Sequence, residues 1–234
     1  MGFFRLFSAF CLCLVLGFGS SAEAAPLSSF EARYDVELRG VHVASLHRIF
    51  TRKLDGSYEF QSVLQSEGLA SVLKPITELE SSRGVWEDEA PRPTSYAYEK
   101  HSGKKQRSAR VDFNWNAGTA SGQDGGKVWR ATLVPGAVDK LSYQLLLMRD
   151  LARDAPLVYR IAEEGRLKSQ HWVRVGDADV NLGGKVVPSV KITLAGRGGR
   201  QTTLWCAPSL NFLPVRIEYQ EKNGEVTSAL LRLH

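Results

Sequence analysis

The histidines and acidic residues are the side chains of this sequence that could bind a metal ion or transfer protons. The chain has five histidines, and no two follow the H-x-H or H-x-x-x-H spacing that sets two imidazoles on one side of a strand or helix. His42 and His47 are five positions apart and therefore point to opposite faces of a regular strand. Acidic pairs such as Asp88-Glu89 lie in polar, turn-like stretches. We therefore predict no metal site, no catalytic residue and no bound cofactor.

Two glycine-containing stretches come close to catalytic motifs but lack the residue that would carry the chemistry. A nucleophile elbow needs G-x-S-x-G, whereas residues 118–122 read GTASG, with the serine one position late. A phosphate-binding loop needs Ser or Thr after Gly-Lys, whereas Val128 follows Gly126-Lys127. We therefore expect a protein that is not an enzyme, and rank an enzyme without a known motif third among the functions considered.

A basic segment near the middle of the chain could bind anions. Its five cations fall within eleven residues between two predicted strands, where they could contact lipid phosphates. The simpler interpretation is a solvated hairpin whose charges meet only water. The candidate anion-contacting residues are Lys100, Lys104, Lys105, Arg107 and Arg110.

Large apolar and aromatic side chains on the predicted strands and helix could line a site for an acyl chain. A concave sheet with such a lining would bury most of an apolar ligand. The alternative is that these side chains fill the core. The candidate lining residues are Leu145, Met148, Trp172, Trp205 and Tyr219.

The N-terminal residues have the three parts of a secretory signal peptide. Arg5 supplies a positive charge, residues 6–18 form an apolar run of about 13 residues, and a small-x-small pattern ends at Ala24. Crossing a bilayer takes about 20 residues, so an uncleaved anchor is the second choice. We predict cleavage between Ala24 and Ala25, export to the periplasm, and one β-rich domain over residues 25–234 without a transmembrane span.

Charge and cysteine content narrow the function classes further. The formal net charge of +5 suits contact with anionic envelope surfaces, and export argues against a nucleic-acid partner. Cys11 and Cys13 leave with the signal peptide, so Cys206 cannot form an intramolecular disulfide. We interpret Cys206 as a small buried apolar residue.

Alternation of apolar and polar residues predicts β-strands along most of the chain. From Phe30 to Arg39 every second residue is apolar and the others are charged, which is typical of a strand with one buried and one wet face. Residues 109–115 and 213–220 repeat the pattern. The glycine-rich stretch Gly118–Gly126 predicts a long hairpin loop.

Asn223-Gly224 is the strongest hairpin signal in the sequence. This dipeptide favours a two-residue turn, because both of its residues tolerate a positive φ. A two-residue loop would place Ile217 opposite Leu230 across the hairpin.

One segment has helical periodicity instead. Between Val138 and Arg153 the apolar residues fall in two adjacent stripes, so the helix needs cover on more than one side. Asp139 can cap its start, and Pro156 stops the chain soon after its end. A second, short helical turn is predicted at Ser71–Pro75. The two stripes of the long helix are Leu141, Leu145, Met148 and Ala152, and Tyr143, Leu147 and Leu151.

These elements together predict an all-β fold with one long helix. The arrangement that satisfies them is an antiparallel, strongly curled sheet or incomplete barrel that wraps the single mid-chain helix. Such a sheet covers both apolar stripes of the helix at once.

A family resemblance rests on the stretch Thr203–Tyr219, which reads TLWCAPSLNFLPVRIEY. It resembles the closing motif of a bacterial exported family catalogued as domain of unknown function 3108, in which a Trp-containing strand and a short turn lead into a Leu-Pro-Val-Arg strand. The segments Tyr34–Gly40, Pro93–Tyr98 and Val138–Ser142 are also similar. The resemblance covers most of residues 30–234 and implies export and an antiparallel β fold, but it brings no catalytic residue.

The sequence therefore favours a non-catalytic periplasmic protein that binds an apolar or amphipathic envelope component, such as a lipid. The alternative is a protein-interaction or structural envelope domain with a filled core, whose partner is an envelope protein. A connected apolar cavity would favour the first function and a solid core the second.

Overall fold

The computed structural model describes residues 27–73 and 75–233, which form sixteen strands and two α-helices. The predicted signal peptide, with its cleavage site between Ala24 and Ala25, lies outside the described residues. The strands are β1 (Phe30–Leu38), β2 (Val41–Arg52), β3 (Ser57–Ser66), β4 (Ile76–Glu87), β5 (Ala90–Ser102), β6 (Lys105–Asn114), β7 (Thr119–Asp124), β8 (Lys127–Thr132), β9 (Ala137–Val138), β10 (Val158–Glu163), β11 (Arg166–His171), β12 (Val173–Leu182), β13 (Lys185–Ala195), β14 (Gln201–Ala207), β15 (Leu213–Gln220) and β16 (Val226–Leu231), and the helices are α1 (Gly68–Leu73) and α2 (Tyr143–Ala152).

Thirteen strands form one antiparallel sheet in the order β12-β13-β14-β15-β16-β1-β2-β3-β4-β5-β6-β7-β8. Neighbours in the sheet are neighbours in sequence except at β16 and β1, where the last strand pairs with the first. The described parts of the two edge strands, β12 and β8, do not pair with each other. The remaining strands form a small sheet, β11-β10-β9, in which β9 runs parallel to β10. The prediction of a mostly antiparallel β protein is confirmed.

Strand β1 shows how the alternating pattern becomes a buried face. Ala32, Tyr34 and Val36 are buried, whereas the charged residues between them are at least partly exposed. Burying one side of a strand removes apolar area from water while its charged side stays solvated, which stabilises one register over a one-residue slip. The Tyr34 hydroxyl donates a 2.9 Å hydrogen bond to the Pro214 carbonyl, so the phenol is satisfied inside the core.

The hairpin at Asn223-Gly224 forms, but its predicted register is wrong by one residue. Ile217 pairs with Ala229, because the loop holds three residues between Glu221 and Glu225 instead of two. The Glu225 backbone amide donates to the Asn223 side chain at 3.0 Å, and Gly224 has a φ of 81°. A three-residue loop that ends in a left-handed glycine is the next commonest hairpin geometry.

The prediction that Gly118–Gly126 is a long loop is also wrong, because its middle forms strand β7. Gly122 lies where the Trp129 ring packs across the neighbouring strand. A Cβ at this position would lie 2.4 Å from the Arg110 carbonyl oxygen and 2.5 Å from the Trp129 ring. The glycine therefore marks a close approach inside a strand, not a turn.

Helix α2 is shorter than predicted and begins after Ser142 instead of at Val138, which lies in β9. The difference arises because residues 139–142 form a hydrogen-bonded turn before the helix. The helix is buried on more than one side. Leu145 and Met148 belong to a large core cluster with sheet residues, and Leu147 to a second cluster. The second cluster contains Val138, Leu146, Leu147, Leu151, Leu157, Tyr159, Ile161, Trp172, Ile192, Leu204 and Cys206.

Helix α1 begins at Gly68, three residues before the predicted turn at Ser71–Pro75, and it ends at Leu73. None of its residues is buried. Of the helices in the described ranges, neither is long and apolar enough to cross a membrane. Cys206 is a fully buried free thiol on β14, in agreement with its interpretation as an apolar core residue, and burial raises its pKa.

Candidate functional site

Four polar side chains form a row across the inner face of the sheet. Arg48 on β2 pairs with Ser62 on β3, Ser62 pairs with Glu80 on β4, and Glu80 pairs with Tyr98 on β5. Directly paired residues project from the same face of a sheet. The row shares its face with Phe50, two positions further along β2 and buried in the core. We call Arg48, Ser62, Glu80 and Tyr98 the inner polar row.

Arg48 is the cation of this row, and its charge is not neutralised. The side chain is half-buried, and its Nε has no hydrogen-bond partner among the described residues although solvent does not reach it. Within residues 27–73 and 75–233, no carboxylate forms an ion pair with its guanidinium, which lies 5.8 Å from the centre of the Tyr34 ring. Leaving a charged donor buried and unpaired is costly, so this position favours an anionic acceptor.

Glu80 is the acid of the row and is held in its neutral form more than an exposed glutamate. The Tyr96 hydroxyl donates a 3.0 Å hydrogen bond to its carboxyl. Burial of that carboxyl raises its pKa, and the Tyr96 bond and the Arg48 charge only partly offset this effect. Arg48 is therefore within electrostatic reach of Glu80, but no ion pair joins the two described side chains.

Helix α2 brings Tyr143 to the same region. Burial raises the pKa of the Tyr143 phenol to about 12, while the charge of Arg48 lowers it and that of Glu80 raises it. These opposing effects show that the phenol lies within electrostatic reach of both row residues. The ring is stacked on Trp172, with 6.4 Å between ring centres, which fixes its orientation.

A buried hydrogen-bond network attaches the start of α2 to the sheet. The Asp139 carboxyl accepts bonds from the backbone amides of Leu141 (2.8 Å) and Ser142 (2.7 Å) and from the Ser82 hydroxyl (2.6 Å). The Ser82 hydroxyl lies 3.0 Å from that of Tyr58. Asp139 is fully buried, and burial raises its pKa more than these bonds lower it. The network fixes where α2 begins and hence where Tyr143 lies.

The inner polar row can bind an anionic group and hold it in place. Arg48 supplies a cation without an ion pair among the described residues, and Tyr143 supplies a hydroxyl donor within its electrostatic reach. Apolar surface lies next to this charge. Leu46 is two positions from Arg48 on β2, and the half-buried Leu64 on β3 pairs with Leu46. A cation flanked by apolar side chains suits a molecule with an anionic head and an apolar tail.

The described histidines are not part of the row. The Nε2 atom of His42 lies 2.8 Å from the Glu67 carboxylate, and that of His47 lies 2.9 Å from Glu31. Along the described stretches, no three His, Cys, Asp or Glu side chains come together as metal ligands.

An open apolar groove of about 560 Å³ lies beside the turn between β4 and β5. Trp115 is part of its wall, and its indole Nε1 donates a 2.7 Å hydrogen bond to the Pro93 carbonyl. The Arg92 guanidinium lies 5.1 Å from the centre of the Trp115 ring and pairs with Glu87 at 2.7 Å. The groove is lined by Glu87, Asp88, Ala90, Pro91, Arg92, Trp115, Gly118, Leu133, Val134, Pro135 and Gly136.

The five candidate anion-contacting residues all lie on the β5–β6 hairpin, but only some of them have ion-pair partners among the described residues. Lys100 pairs with Glu78, and Arg107 pairs with Asp124, so these two cations already have partners. Arg110 is exposed and lies three positions after Arg107 on β6, so the two side chains point to opposite faces of the strand. The turn between the strands begins after Ser102. At and beside it lie Lys104 and Lys105, both exposed and without an ion pair to any described residue.

The five candidate lining residues do not meet in one site. Leu145, Met148 and Trp205 belong to the large core cluster, and Trp172 belongs to the second cluster. Tyr219 is 38% exposed near the end of β15. Trp205 is covered by two cations, Lys191 at 5.1 Å and Arg216 at 4.9 Å from its ring centre. The four buried side chains therefore pack as core in this structure.

The comparisons with known proteins agree with this architecture. The model of the family described as "Protein of unknown function (DUF3108)" matches residues 33–230. The chain belongs to the DUF3108 family. This confirms the resemblance found at the Leu-Pro-Val-Arg strand.

One solved structure shows how the DUF3108 fold relates to another family. It is described as a beta-barrel-like protein of domain of unknown function DUF1849 from Brucella abortus, with a TM-score of 0.56 and 11% sequence identity. The match covers 88% of this chain and 96% of that one. At this identity the likeness concerns the fold alone. No curated protein matches the chain.

Sequence reasoning missed Arg48 and Glu80, the two charged residues of the inner polar row of this chain. Both lie at positions of β2 and β4 that face the core, so a charged residue on an apolar face was the available signal. Between Ala44 and Phe50, the even positions of β2 share one face, and only Arg48 among these four is charged.

Proposed function

We propose that this chain is an exported, non-catalytic protein of the periplasm that binds an amphipathic, lipid-like molecule with an anionic head group. The head group would pair with Arg48 and the tail would lie along the apolar side chains beside it. The observation that carries this proposal is the guanidinium of Arg48, which is half-buried and has no ion pair among the described residues. An anionic ligand supplies the missing acceptor.

The position of α2 supports a binding space next to the row. Its side chains contact both core clusters, as expected if the sheet curls around the helix as an incomplete barrel. Tyr143 at its first turn is half-buried beside Arg48, so the row lies between the sheet and one end of the helix. Binding sites in sheets of this kind lie where side chains leave the core partly open.

The test compares a charged and an uncharged lipid on matched arginine variants. Oleate and oleyl alcohol are titrated into the protein that begins at Ala25, and binding is followed by calorimetry. We expect oleate to bind and Arg48→Met to weaken it by about 10- to 100-fold, since a hydrogen bond to a charged group contributes about 1.5–3 kcal/mol. Arg33→Met, which removes an arginine from the exposed face of β1, serves as the control.

Two outcomes would contradict the proposal. The first is equal binding of oleate by the unmodified protein and Arg48→Met. The second is no binding of oleate at micromolar concentration, which would leave the protein-interaction function as the better one.

The groove at Trp115 favours that second function. It is open and mostly apolar, and a tryptophan and two prolines line it, which suits an extended apolar segment of an envelope protein. The large cluster of buried residues elsewhere is consistent with a filled core. Pull-down of envelope proteins by the unmodified protein but not by Trp115→Ala would support this function.

A further inference from the structure

Helix α1 exposes three large apolar side chains that the inner polar row does not use. Leu69, Val72 and Leu73 are 81%, 78% and 84% exposed, and the helix buries none of its residues. Scattered apolar side chains are common on protein surfaces, but three within five residues of one protruding helix form a patch. Such a patch indicates a surface that is covered in use.

A pair of free cations lies beside this helix. The backbone amide of Gly103 donates a 3.1 Å hydrogen bond to the carbonyl of Pro75, which joins the β5–β6 turn to the segment that follows α1. Lys104 and Lys105 are exposed at this turn, and neither has a carboxylate partner in the described ranges. Lys100 of the same hairpin forms an ion pair with Glu78. Carboxylates are therefore present near this hairpin, but among the described residues none of them pairs with the two turn lysines.

We propose that α1 and the Lys104-Lys105 turn together form a docking surface for an anionic lipid bilayer. The apolar side chains of α1 enter the boundary between head groups and acyl chains, and the two lysines contact lipid phosphates. Charge complementarity selects this occupant, because an apolar tip flanked by unpaired cations matches a bilayer with an apolar interior and an anionic surface. An acidic protein partner would pair with the lysines but would not require membrane lipid.

This surface is independent of ligand binding at Arg48. Its residues are exposed at one end of the strands, whereas Arg48 is half-buried on the inner face. A negative oleate experiment therefore does not contradict the docking surface, and a negative vesicle experiment does not contradict the oleate site.

The experiment is co-sedimentation with lipid vesicles. The protein that begins at Ala25, which contains every described residue, is mixed with vesicles of phosphatidylglycerol and phosphatidylcholine or of phosphatidylcholine alone. We expect binding to the anionic vesicles only, and weaker binding at about 1 M salt than at about 0.1 M, because salt shortens the Debye length from about 10 Å to about 3 Å. Circular dichroism checks that each variant remains folded.

Two sets of variants separate the apolar and the basic parts. The double variant Lys104→Gln and Lys105→Gln should bind about 30-fold more weakly, since each lysine near an anionic surface is worth about a fivefold change in affinity. The control removes two exposed, unpaired lysines at the opposite end of the strands, Lys53→Gln and Lys185→Gln, and should bind normally.

The apolar part is tested in the same way. The triple variant Leu69→Ser, Val72→Ser and Leu73→Ser should lose sedimentation with anionic vesicles, while Leu54→Ser, at a fully exposed leucine in the β2–β3 turn, should keep it. The proposal is overturned if neutral vesicles bind equally well, if neither kind of vesicle binds, or if each variant behaves as its control.

Discussion

The Ser82 hydroxyl donates a 2.6 Å hydrogen bond to the Asp139 carboxyl, although the two residues are 57 positions apart. Ser82 belongs to β4 and Asp139 precedes α2, so this bond fixes the helix to the sheet. The Asp139 carboxyl also accepts hydrogen bonds from the backbone amides of Leu141 and Ser142, which belong to the turn before α2. One buried carboxyl thus holds this turn together and attaches it to the sheet.

The first prediction concerns the pH dependence of stability caused by Asp139. Burial raises the folded-state pKa above the ordinary value of 3.8. The neutral carboxyl therefore gives its full contribution to stability below pH 3.8, and this contribution is lost as the pH rises through the folded-state pKa. Asp139→Asn can accept both backbone amides at its amide oxygen and donate its NH2 group to Ser82 without ionising, so its stability relative to the unmodified protein should increase between a pH of about 4 and about 7.

Urea unfolding at both pH values measures this difference. The exposed Asp177→Asn is the control and should follow the unmodified protein. The prediction fails if the free energy of unfolding of Asp139→Asn falls relative to that of the unmodified protein as the pH rises. That result would mean that the hydrogen bonds, and not burial, dominate the pKa of Asp139.

The second prediction concerns the burial of α2. Leu145 is fully buried, so Leu145→Ala should lower the free energy of unfolding by about 2–5 kcal/mol through lost burial and a residual cavity. Leu54→Ala, at a fully exposed turn position, should change it by less than about 0.5 kcal/mol. Denaturant titration of both variants is the measurement. A loss below about 1 kcal/mol for Leu145→Ala would place that face of the helix in solvent.

The third prediction concerns the close contact between Gly122 and Trp129. Gly122→Ala should lower the free energy of unfolding by about 1–3 kcal/mol, because the added methyl group overlaps the Trp129 ring and the Arg110 carbonyl. In the Trp129→Ala background part of the overlap disappears, so the effect of Gly122→Ala should be smaller there. Equal effects in both backgrounds in a double-mutant cycle would show that the ring is not what requires the glycine.

The fourth prediction links stability to the proposed ligand. Without ligand, Arg48→Met should leave the free energy of unfolding unchanged or raise it, because the variant removes an unpaired, half-buried cation and keeps apolar volume. The same change should abolish the stabilisation that oleate gives to the unmodified protein. Thermal unfolding with and without oleate measures both effects. A clear loss of stability in the ligand-free variant would show that contacts within the fold, such as that with the Tyr34 ring, already compensate the burial of the guanidinium.

The fifth prediction concerns export. N-terminal sequencing of protein recovered from the periplasm should begin at Ala25, because the small-x-small pattern ends at Ala24. Ala24→Lys should block this cleavage, since the peptidase accepts only a small residue there, and the precursor should accumulate in the membrane fraction. Recovery of an intact Met1 from the unmodified protein would make the apolar run an anchor.

Much of the fold follows from local pattern. Alternation over Phe30–Leu38 predicts a strand with one buried face, and the structure shows one. The change of period near Leu141 predicts the helix. The prediction that Asp139 caps it is wrong, because the N-cap is Ser142 and the Asp139 carboxyl instead accepts bonds from the turn before the helix. These features are readable because a strand or helix imposes its own period on any residues that it buries.

Part of the basic docking surface was also readable from sequence. The cluster from Lys100 to Arg110 is an evident charge pattern, but the sequence does not tell paired from unpaired cations. Lys100 and Arg107 find carboxylates on β4 and β7, while Lys104 and Lys105 do not within the described chain. The bond from Gly103 to Pro75, which places the turn next to the segment that follows α1, is one that no local pattern predicts.

By itself, then, the sequence determined that this chain forms antiparallel strands and one buried helix, because both periods are properties of neighbouring residues. Only the tertiary structure decided the register after Asn223, the strand at Gly122 and the placement of Arg48 in one row with Glu80. Register and turn type depend on which residues the partner strand offers, and a single residue of slip reverses the faces. A row of side chains across four strands exists only once those strands are paired in one order, and that order minimises the free energy of the whole chain.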